Sequence, residues 1–416
     1  MFVLYQIIIS LLIITSPIII LFRIIKNKED KKRYVEKFCI PSKKRVEGKL
    51  IWFHGSSVGE ILSVIPLIKF YEKKKSIDQI LITSSTLSSS KIIEKFKFKK
   101  TIHQYYPIDH ILFTRKFLNY WNPKIAIFID SEIWPSMFKN LNDKKIPLVL
   151  LNARLTKKTF SRWMKIKNFA DTIFKNISVA YPQNIETKNY LKKFNLRKIK
   201  VLGNLKFAEN SEENLIKLNK KLKSELNKKK IWVASSTHQN EEFFCGKAHI
   251  ILKKQFKNLL TIIIPRHIHR TNSIVTGLKK LKLNVVTHSS KITNLKRVDI
   301  YLVDTFGETK KFHSIASSVF LGGSIVNKGG QNPLEAARFG ANILHGPNTN
   351  NFKDVYKLLK SLKASRKINN SNKLASNITF RKNMLIGRKI KKIGKKILNQ
   401  TIKELDILIK NEFEKT

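Results

Sequence analysis

Cysteine is nearly absent from this 416-residue chain, which removes several classes of protein from consideration. The two cysteines, Cys39 and Cys245, lie far apart and lack the short spacing of a zinc site. A disulfide framework like that of small secreted proteins is not supported either. The cysteine content therefore fits a reducing cytoplasm.

Acidic residues are also scarce: 29 Asp and Glu stand against 81 Lys and Arg, for a formal net charge of +52. Such a surface attracts polyanions and anionic membranes without selecting between them. General codon bias explains the excess equally well, because lysine, asparagine and isoleucine are abundant throughout. A nucleic-acid-binding protein is one hypothesis, although the chain has no recognised nucleic-acid motif and its aromatics fall mainly in apolar runs. A non-catalytic module that binds anionic lipid is another.

The apolar run Phe2–Phe22 has few polar interruptions and is long enough to cross a bilayer as a helix. Basic residues follow it directly: Arg23, Lys26, Lys28, Lys31, Lys32 and Arg33. Because basic flanks stay in the cytoplasm, we expect a single membrane crossing with the rest of the chain on the cytoplasmic side. A cleaved signal peptide is the alternative, but no basic residue precedes the run and no small-residue cleavage site follows it.

From Leu50 onward, short apolar runs alternate with amphipathic basic stretches, as in the strands and crossover helices of parallel sheets. With 42% apolar residues, the chain can fill two cores. The first predicted strand series is Leu50–His54, Gln79–Thr83, Ile125–Ile129, Leu148–Leu151 and Ser178–Ala180. The second is Ile231–Ser235, Leu259–Ile264, Leu283–Val286, Ile300–Val303, Ser318–Leu321 and Ala341–Leu344. Helical patterns are predicted over Glu209–Lys230 and in the basic tail Lys389–Lys410.

These patterns predict a transmembrane anchor (1–22), a basic juxtamembrane segment (23–48) and an N-terminal Rossmann-like domain (49–203). A C-terminal Rossmann-like domain (204–385) and a C-terminal basic helix (386–416) complete the chain. In open sheets of this class, ligands bind at the carboxyl ends of strands. Polar motifs directly after strands are therefore the candidate sites.

The first such motif, Trp52–Glu60, comprises a strand, a turn of small residues and a helix start. Ser57 and Glu60 have the spacing of a capping box, which by itself explains both side chains. The functional interpretation is that Gly55 and Gly59 let a substrate approach the backbone while Glu60 acts as a general base. The local sequence does not separate these two interpretations.

A second motif places Asp130 and Glu132 directly after the strand Ile125–Ile129. The alternative is an ordinary helix start with Ser131 as its cap and Pro135 in its first turn. After the next strand, Arg154 could meet an anionic group.

Lys206 lies near the predicted hinge, where it could reach between the two domains. Because lysine is so common here, its position rather than its residue type makes it a candidate.

In the second series, Ser236, Thr237 and His238 follow one strand, and histidines recur at His267 and His269. Their long separations argue against a metal site. Arginine is better suited to a phosphate, since a planar guanidinium binds phosphate through two nitrogens. Arg266 and Arg270 are therefore candidate phosphate contacts.

The string from Leu321 to Ala337 contains two pairs of glycines followed by a predicted helix start. Asn332 is a good helix cap, Pro333 suits the first helical position, and the free amides there can bind an anion. Glu335 either reaches back to the cap or accepts hydrogen bonds from ribose hydroxyls.

Together these motifs resemble those of the Kdo transferases, which move 3-deoxy-D-manno-octulosonic acid (Kdo) from CMP-Kdo onto the lipid A precursor of lipopolysaccharide. The resemblance runs from the predicted anchor to about Phe352. Its matching segments, in the family's order, are Trp52–Glu60, Thr83–Ser90, Tyr105–Asp109, Asp130–Pro135, Asn152–Leu155, Gly203–Phe207, Ser236–Glu242, Pro265–Arg270, Asp304–Glu308 and Gly322–Phe352.

The resemblance implies a GT-B fold, with two Rossmann-like domains facing a central cleft, and inverting transfer without a metal or cofactor. It implies Glu60 as proton acceptor, with Asp130 and Lys206 as transition-state stabilisers. The implied CMP-binding residues are Pro265, Arg266, Phe306, Gly307, Glu308, Asn332, Pro333, Leu334 and Glu335. Candidate acceptor or donor contacts are Ser57, Gly59, Glu132, Arg154, Ser236, Thr237 and His238. The implied partners are CMP-Kdo, lipid IVA and the bacterial inner membrane, with no nucleic acid.

Several positions depart from the family pattern. Asp130 replaces a usual Glu, which shortens its reach by about one methylene, and Gln331 replaces a usual His. His269, Ala208 and Ser89 replace a usual Glu, Asp and Gly respectively. Glu60 itself is kept, so we expect activity to be retained.

Overall fold

The computed structural model describes residues 1–196, 198–208, 218–292 and 294–414. Residues 1–209 and 394–416 form one compact unit, and residues 210–393 form another; we call them the first and second units. The helices of the first unit are α1 Phe2–Ile25, α2 Val58–Tyr71, α3 Leu87–Glu94, α4 Ile111–Trp121, α5 Pro135–Asp143, α6 Lys157–Met164, α7 Lys167–Phe174 and α8 Ile185–Lys192. Those that follow are α9 Lys220–Asn227, α10 Glu241–Lys253, α11 Thr271–Lys279, α12 Thr309–Ile315, α13 Leu334–Arg338, α14 Lys353–Ser361, α15 Ser371–Asn377 and α16 Met384–Glu414.

The first unit is built on a six-stranded parallel sheet in the order β3-β2-β1-β4-β5-β6. Its strands are β1 Leu50–His54, β2 Gln79–Ser84, β3 Thr101–Tyr105, β4 Ile125–Ile129, β5 Leu148–Ala153 and β6 Val179–Pro182. Every residue of β1 and β4 is buried, because both faces of the sheet are covered. This explains why these strands are continuous apolar runs rather than alternating ones.

The second unit contains a seven-stranded parallel sheet in the order β13-β12-β11-β7-β8-β10-β9. Its strands are β7 Lys230–Thr237, β8 Leu259–Pro265, β9 Val285–Thr287, β10 Ile300–Leu302, β11 Ser318–Leu321, β12 Asn342–His345 and β13 Ser365–Lys367. The prediction of two parallel-sheet α/β domains is confirmed.

Two strands, β3 and β13, are missing from the sequence prediction. Both are sheet edges, and their sequences carry polar residues such as His103 and Gln104 in β3 and Lys367 in β13. An apolar-run criterion passes over strands of this kind. Of the helical stretch predicted over Glu209–Lys230, residues 209–217 lie outside the described residues, and the helix in the remainder is Lys220–Asn227.

The predicted N-terminal helix is present as α1. Its most apolar window has a mean hydropathy of 2.6, and 11% of that window is buried. Length and composition are therefore sufficient for a membrane span. The helix predicted in the basic tail is also present and longer than expected, extending over Met384–Glu414.

The last helix approaches the first unit very closely at Gly394. A Cβ atom there would overlap the carbonyl oxygen of Phe207, which belongs to the short 3₁₀ turn Leu205–Phe207. We therefore predict that Gly394→Ala forces the helix and turn apart and lowers the unfolding free energy by about 1–3 kcal/mol. Thermal unfolding followed by circular dichroism measures this as a lower Tm.

The matched control is Gly277→Ala in α11, where an added Cβ would meet nothing within 4 Å. This variant should be neutral or slightly stabilised, since alanine is the better helix former. Equal Tm values for the two variants would contradict the close contact.

Candidate active site

Glu60 lies in the first turn of α2, directly after β1. Its helix begins with a complete capping box, in which the Ser57 hydroxyl accepts from the Glu60 amide and the Glu60 carboxylate accepts from the Ser57 amide. Oε2 of Glu60 also accepts from the Ser56 amide at 2.7 Å, and Oε1 accepts from the Ser57 hydroxyl at 2.8 Å. The capping interpretation is therefore correct as geometry.

Glu60 has a second property that capping does not explain. Its surroundings raise its pKa from 4.5 to about 7. Burial is the largest cause, since it disfavours the charged form, and the negative charges of Glu132 and Asp130 act in the same direction. The hydrogen bond from Ser57 opposes them. A carboxylate with a pKa near the working pH has the properties of a general base.

Asp130 lies at the carboxyl end of β4 in a left-handed conformation, with φ of 62°. Its carboxylate is buried and accepts from Lys206 Nζ at 3.2 Å, and both residues belong to the first unit. Lys206 was predicted to reach between the domains; the contact seen here is within one unit. The structure thus joins two residues that are 76 positions apart in sequence.

Two asparagines hold the turn that carries Lys206. Asn204 Oδ1 accepts from the Lys206 amide at 2.9 Å, and Asn152 Oδ1 accepts from the Leu205 amide at 2.9 Å. Asn152 has φ of 53° and lies where the register between β5 and β6 shifts. The irregular end of β5 therefore places Lys206 beside Asp130.

Glu132 is the third carboxylate at this sheet edge. Its Oε2 accepts from Trp134 Nε1 at 2.9 Å and lies 3.3 Å from Nε2 of His54. His54 is fully buried at the end of β1 and stacks on Tyr106, with ring centroids 3.9 Å apart; burial lowers its pKa. The helix start predicted with Ser131 as its cap is wrong, because α5 begins at Pro135 with Trp134 at the N-cap position.

The remaining candidates in the first unit surround this cluster of carboxylates. Ser57 and Gly59 are exposed, and a Cβ on Gly59 would meet nothing within 4 Å, so the space beside it is open. The Arg154 amide donates to the carbonyl oxygen of Asp130 at 3.1 Å. The first unit thus brings together Glu60, Asp130, Glu132 and Lys206 from the ends of β1 and β4 and the turn after residue 203.

In the second unit, the predicted glycine loop is organised by a buried acid that the sequence analysis did not single out. Glu241, fully buried in the first turn of α10, accepts from the amides of Gly323 at 2.7 Å, Ser324 at 3.2 Å and Ile325 at 3.0 Å. It also accepts from the His238 amide at 2.9 Å. In the sequence, the signal for this role is the acidic pair Glu241 and Glu242, which begins three residues after His238, the residue that directly follows β7.

The two candidate phosphate-binding arginines differ in their surroundings. Both terminal nitrogens of Arg270 donate hydrogen bonds to the carboxylate of buried Glu242, at 3.0 and 3.1 Å. The Thr237 hydroxyl donates to the same carboxylate. Its guanidinium is therefore already engaged, which contradicts the predicted phosphate role. Arg266 is exposed directly after Pro265 at the end of β8, and its amide donates to the carbonyl oxygen of Thr237.

The other predicted CMP-binding residues lie in two loops of the second unit. In the first, Phe306 is 80% exposed, Gly307 has φ of 87°, and Glu308 pairs with Lys311 at 2.9 Å. A large aromatic ring this exposed does not contribute to core packing, and its position at a tight turn suits stacking on a ligand.

In the second loop, Asn332 Oδ1 accepts from the Leu334 amide at 3.1 Å, and α13 begins at Leu334, one residue later than predicted. Oε1 of Glu335 lies 3.6 Å from Nδ1 of buried His313, so the acid is directed to this histidine rather than to the cap. Burial acts to raise the pKa of Glu335, but His313 and nearby cations outweigh it, and the pKa is lowered. Glu335 is thus held as a carboxylate, an acceptor of hydrogen bonds.

Ser236 has φ of 55° at a register shift between β7 and β8. Two residues later, the ring centroid of His238 lies 5.9 Å from that of His267. The ring centroids of His267 and His269 are 5.6 Å apart. Among the residues that the structure describes, no group of three or more His, Cys, Asp or Glu side chains is arranged to hold a metal ion.

Two parallel-sheet α/β domains with polar strand ends are characteristic of the GT-B fold class, and comparison with solved structures agrees. A glycosyltransferase from Rickettsia africae has a TM-score of 0.54 at 11% identity, and the match covers 89% of this chain and 100% of that one. A protein proposed to be a UDP-N-acetylglucosamine 2-epimerase from Listeria monocytogenes has a TM-score of 0.59 at 12% identity, covering 89% of this chain and 98% of that one. These similarities show the fold alone.

Sequence comparison identifies the family. Residues 32–209 match the family described as 3-deoxy-D-manno-octulosonic-acid transferase. A 3-deoxy-D-manno-octulosonic acid transferase from Rickettsia bellii is 36% identical over 370 residues, which cover 87% of this chain and 86% of that protein. The chain belongs to the Kdo transferase family, and the predicted resemblance is confirmed.

The cluster of carboxylates predicts a measurable coupling. Glu132→Gln removes a negative charge near Glu60, so the pKa of Glu60 should fall below about 7. A ¹³C NMR titration of the glutamate carboxyl carbons, assigned with Glu60→Gln, measures it. Glu186→Gln, at an exposed position of α8, should leave that pKa unchanged; an equal pKa in Glu132→Gln and wild type would show that the two acids do not interact.

The two arginines predict a contrast in stability. Arg270→Ala leaves Glu242, whose side chain is 5% exposed, without its paired cation, and should cost about 3 kcal/mol of unfolding free energy. Arg266→Ala, at an exposed site, should change it by less than about 0.5 kcal/mol. Thermal unfolding of both variants measures the difference, and a larger loss in Arg266→Ala would reverse the assignment.

Proposed function

We propose that this chain transfers Kdo from CMP-Kdo to the lipid A precursor lipid IVA, with inversion at the anomeric carbon and without a metal or cofactor. One observation carries the proposal: Glu60, in the first turn of the helix that follows β1, has a pKa of about 7 because it is buried and close to the charges of Glu132 and Asp130. Membership of the Kdo transferase family supports the donor sugar.

In the proposed reaction, Glu60 acts as the proton acceptor. Its carboxylate takes the proton from the acceptor sugar's hydroxyl while that oxygen forms a bond to the anomeric carbon of Kdo. The bond from that carbon to the CMP phosphate breaks on the opposite face, which inverts the configuration. Because the capping hydrogen bonds already orient Glu60, little reorganisation precedes the proton transfer.

Asp130 and Lys206 are proposed to stabilise the transition state. Their ion pair fixes the ammonium group before the reaction, so positive charge is in place as the phosphate leaves. Asp130 is shorter than the usual glutamate, yet its carboxylate still reaches Lys206 at 3.2 Å. This distance supports a retained role for the shorter side chain.

The second unit is proposed to bind CMP. Exposed Arg266 suits the phosphate, Phe306 suits stacking, and the ionised Glu335 suits the ribose hydroxyls. Pro265, Gly307, Glu308 and the turn Asn332–Leu334 complete the proposed CMP site. Ser57, Gly59, Glu132, Arg154, Ser236, Thr237 and His238 are proposed to contact the acceptor or donor.

The acceptor is an anionic lipid, which suits a chain with a net charge of +52 and an exposed apolar N-terminal helix. We therefore place the protein at the cytoplasmic face of a bacterial inner membrane.

The assignment of Glu60 predicts that Glu60→Gln keeps the fold and CMP-Kdo binding but loses transfer by roughly 10²- to 10⁴-fold. The glutamine retains an oxygen for capping but cannot accept the proton. Purified protein is incubated with CMP-Kdo and lipid IVA, and the lipid products are weighed by mass spectrometry.

Glu186→Gln, the same chemical change at an exposed position of α8, is the matched control and should turn over like wild type. Near wild-type transfer by Glu60→Gln would remove Glu60 as the base. No product from wild type would remove the proposed donor and acceptor pair.

A further inference from the structure

The first turn of α1 is hydrogen bonded to the body of the first unit. The Tyr5 hydroxyl donates to Oδ2 of Asp109 at 2.7 Å, and Gln6 Nε2 donates to the Ser136 hydroxyl at 2.8 Å. Gln6 Oε1 in turn accepts from the Ile111 amide at 3.0 Å. Asp109 is buried and also accepts from two amides at the start of α5, so this attachment point is rigid.

The other end of α1 is attached to the same region. Arg23 Nε and Lys37 Nζ both donate to Oε2 of Glu29, at 2.9 and 2.6 Å. The carbonyl oxygen of Lys37 then accepts from the amide of Ile108, the residue next to Asp109, at 2.9 Å. A continuous series of short contacts through the first unit therefore connects the two ends of the helix.

Between its ends, α1 is covered on one side. The less exposed residues recur at helical spacing: Phe2, Gln6, Ile9, Ile13, Ser16, Ile20 and Ile24. The opposite side is exposed and apolar: Val3, Leu4, Ile7, Ile8, Leu11, Leu12, Ile14, Ile18, Ile19, Leu21, Phe22 and Ile25. A helix standing away from the protein across a bilayer would not show this one-sided pattern along its whole length.

The spacing of the attachment points excludes a simple crossing. Tyr5 and Arg23 are separated by about 27 Å along the helix axis, close to the thickness of the hydrocarbon layer. If α1 crossed the bilayer, Tyr5 and Arg23 would lie near opposite faces, and the bond from Tyr5 to Asp109 would have to break.

We propose that α1 lies in the plane of the membrane interface, as a strap along the first unit, with its row of exposed apolar side chains in the lipid. This replaces the single crossing predicted from the sequence. Ordinary in-plane helices need a polar face toward water; here the less exposed side of α1, which includes buried Ser16 and Ile20, takes the place of that face, and the helix is bonded to the first unit at both ends. The occupant is lipid because basic residues follow the helix directly, at Lys26, Lys28, Lys31 and Lys32, where anionic headgroups would lie. The proposal does not depend on the transfer reaction.

The test is a depth measurement on the full chain in vesicles of phosphatidylethanolamine and phosphatidylglycerol. With Cys39 and Cys245 replaced by alanine, single cysteines at Leu4, Leu11, Ile18 and Ile25 carry a nitroxide spin label. An in-plane helix gives the same oxygen-derived depth at all four positions. A crossing helix gives shallow depths at Leu4 and Ile25 and deep ones at Leu11 and Ile18, which would overturn the proposal.

Labels at Ile9 and Ser16, on the covered face, are the matched control. They should show low oxygen exposure if the strap is in place, whereas exposure like that of Leu11 would show that the helix has left the first unit. Leu11→Glu should weaken vesicle binding by roughly tenfold or more. If it instead leaves vesicle binding unchanged and converts a dimer into a monomer by sedimentation, a second copy covers this face and the lipid proposal fails.

Discussion

Three carboxylates, those of Glu60, Asp130 and Glu132, lie close enough at the carboxyl edge of the first sheet for their charges to interact. They would repel one another if all were ionised without compensation, so the hydrogen-bond and ion-pair partner of each one matters. Lys206 pairs with Asp130, while Trp134 donates to Glu132. Glu60 receives amide and hydroxyl hydrogen bonds but no cation in the contacts described, and burial together with the charges of Glu132 and Asp130 raises its pKa. The repulsion from its acidic neighbours therefore contributes to the raised pKa of Glu60, the residue proposed to accept the proton.

The backbone around this edge is shaped to allow that convergence. Asp130 and Asn152 both adopt left-handed conformations at strand ends, and Asn152 then holds the turn that carries Lys206. Gly394 lets the last helix close over the same turn. The second unit uses a comparable device, since buried Glu241 gathers loop amides in place of a bound anion. Buried carboxylates therefore define loop positions in both units.

Much of the sheet architecture was predictable because fully buried parallel strands are continuous apolar runs, as in β1 and β4. The edge strands β3 and β13 were not, since polar residues interrupt their apolar pattern, as buried Gln104 does in β3. Local sequence also left Glu60 between capping and catalysis. The structure shows that it caps, and its burial, together with the charges of Glu132 and Asp130, distinguishes it from an ordinary cap by raising its pKa. The Arg270–Glu242 pair was equally invisible, because the two residues are 28 positions apart.

In the proposed reaction, protonation of Glu60 is the event that limits transfer on the acid side. The direct measurement is the pH dependence of kcat/KM for transfer from CMP-Kdo to lipid IVA. Because the base must be ionised, the rate should fall as the pH drops, with an apparent pKa of about 7 for this limb. A limb near the ordinary glutamate value of 4.5, or one that persists unchanged in Glu60→Gln, would contradict the account.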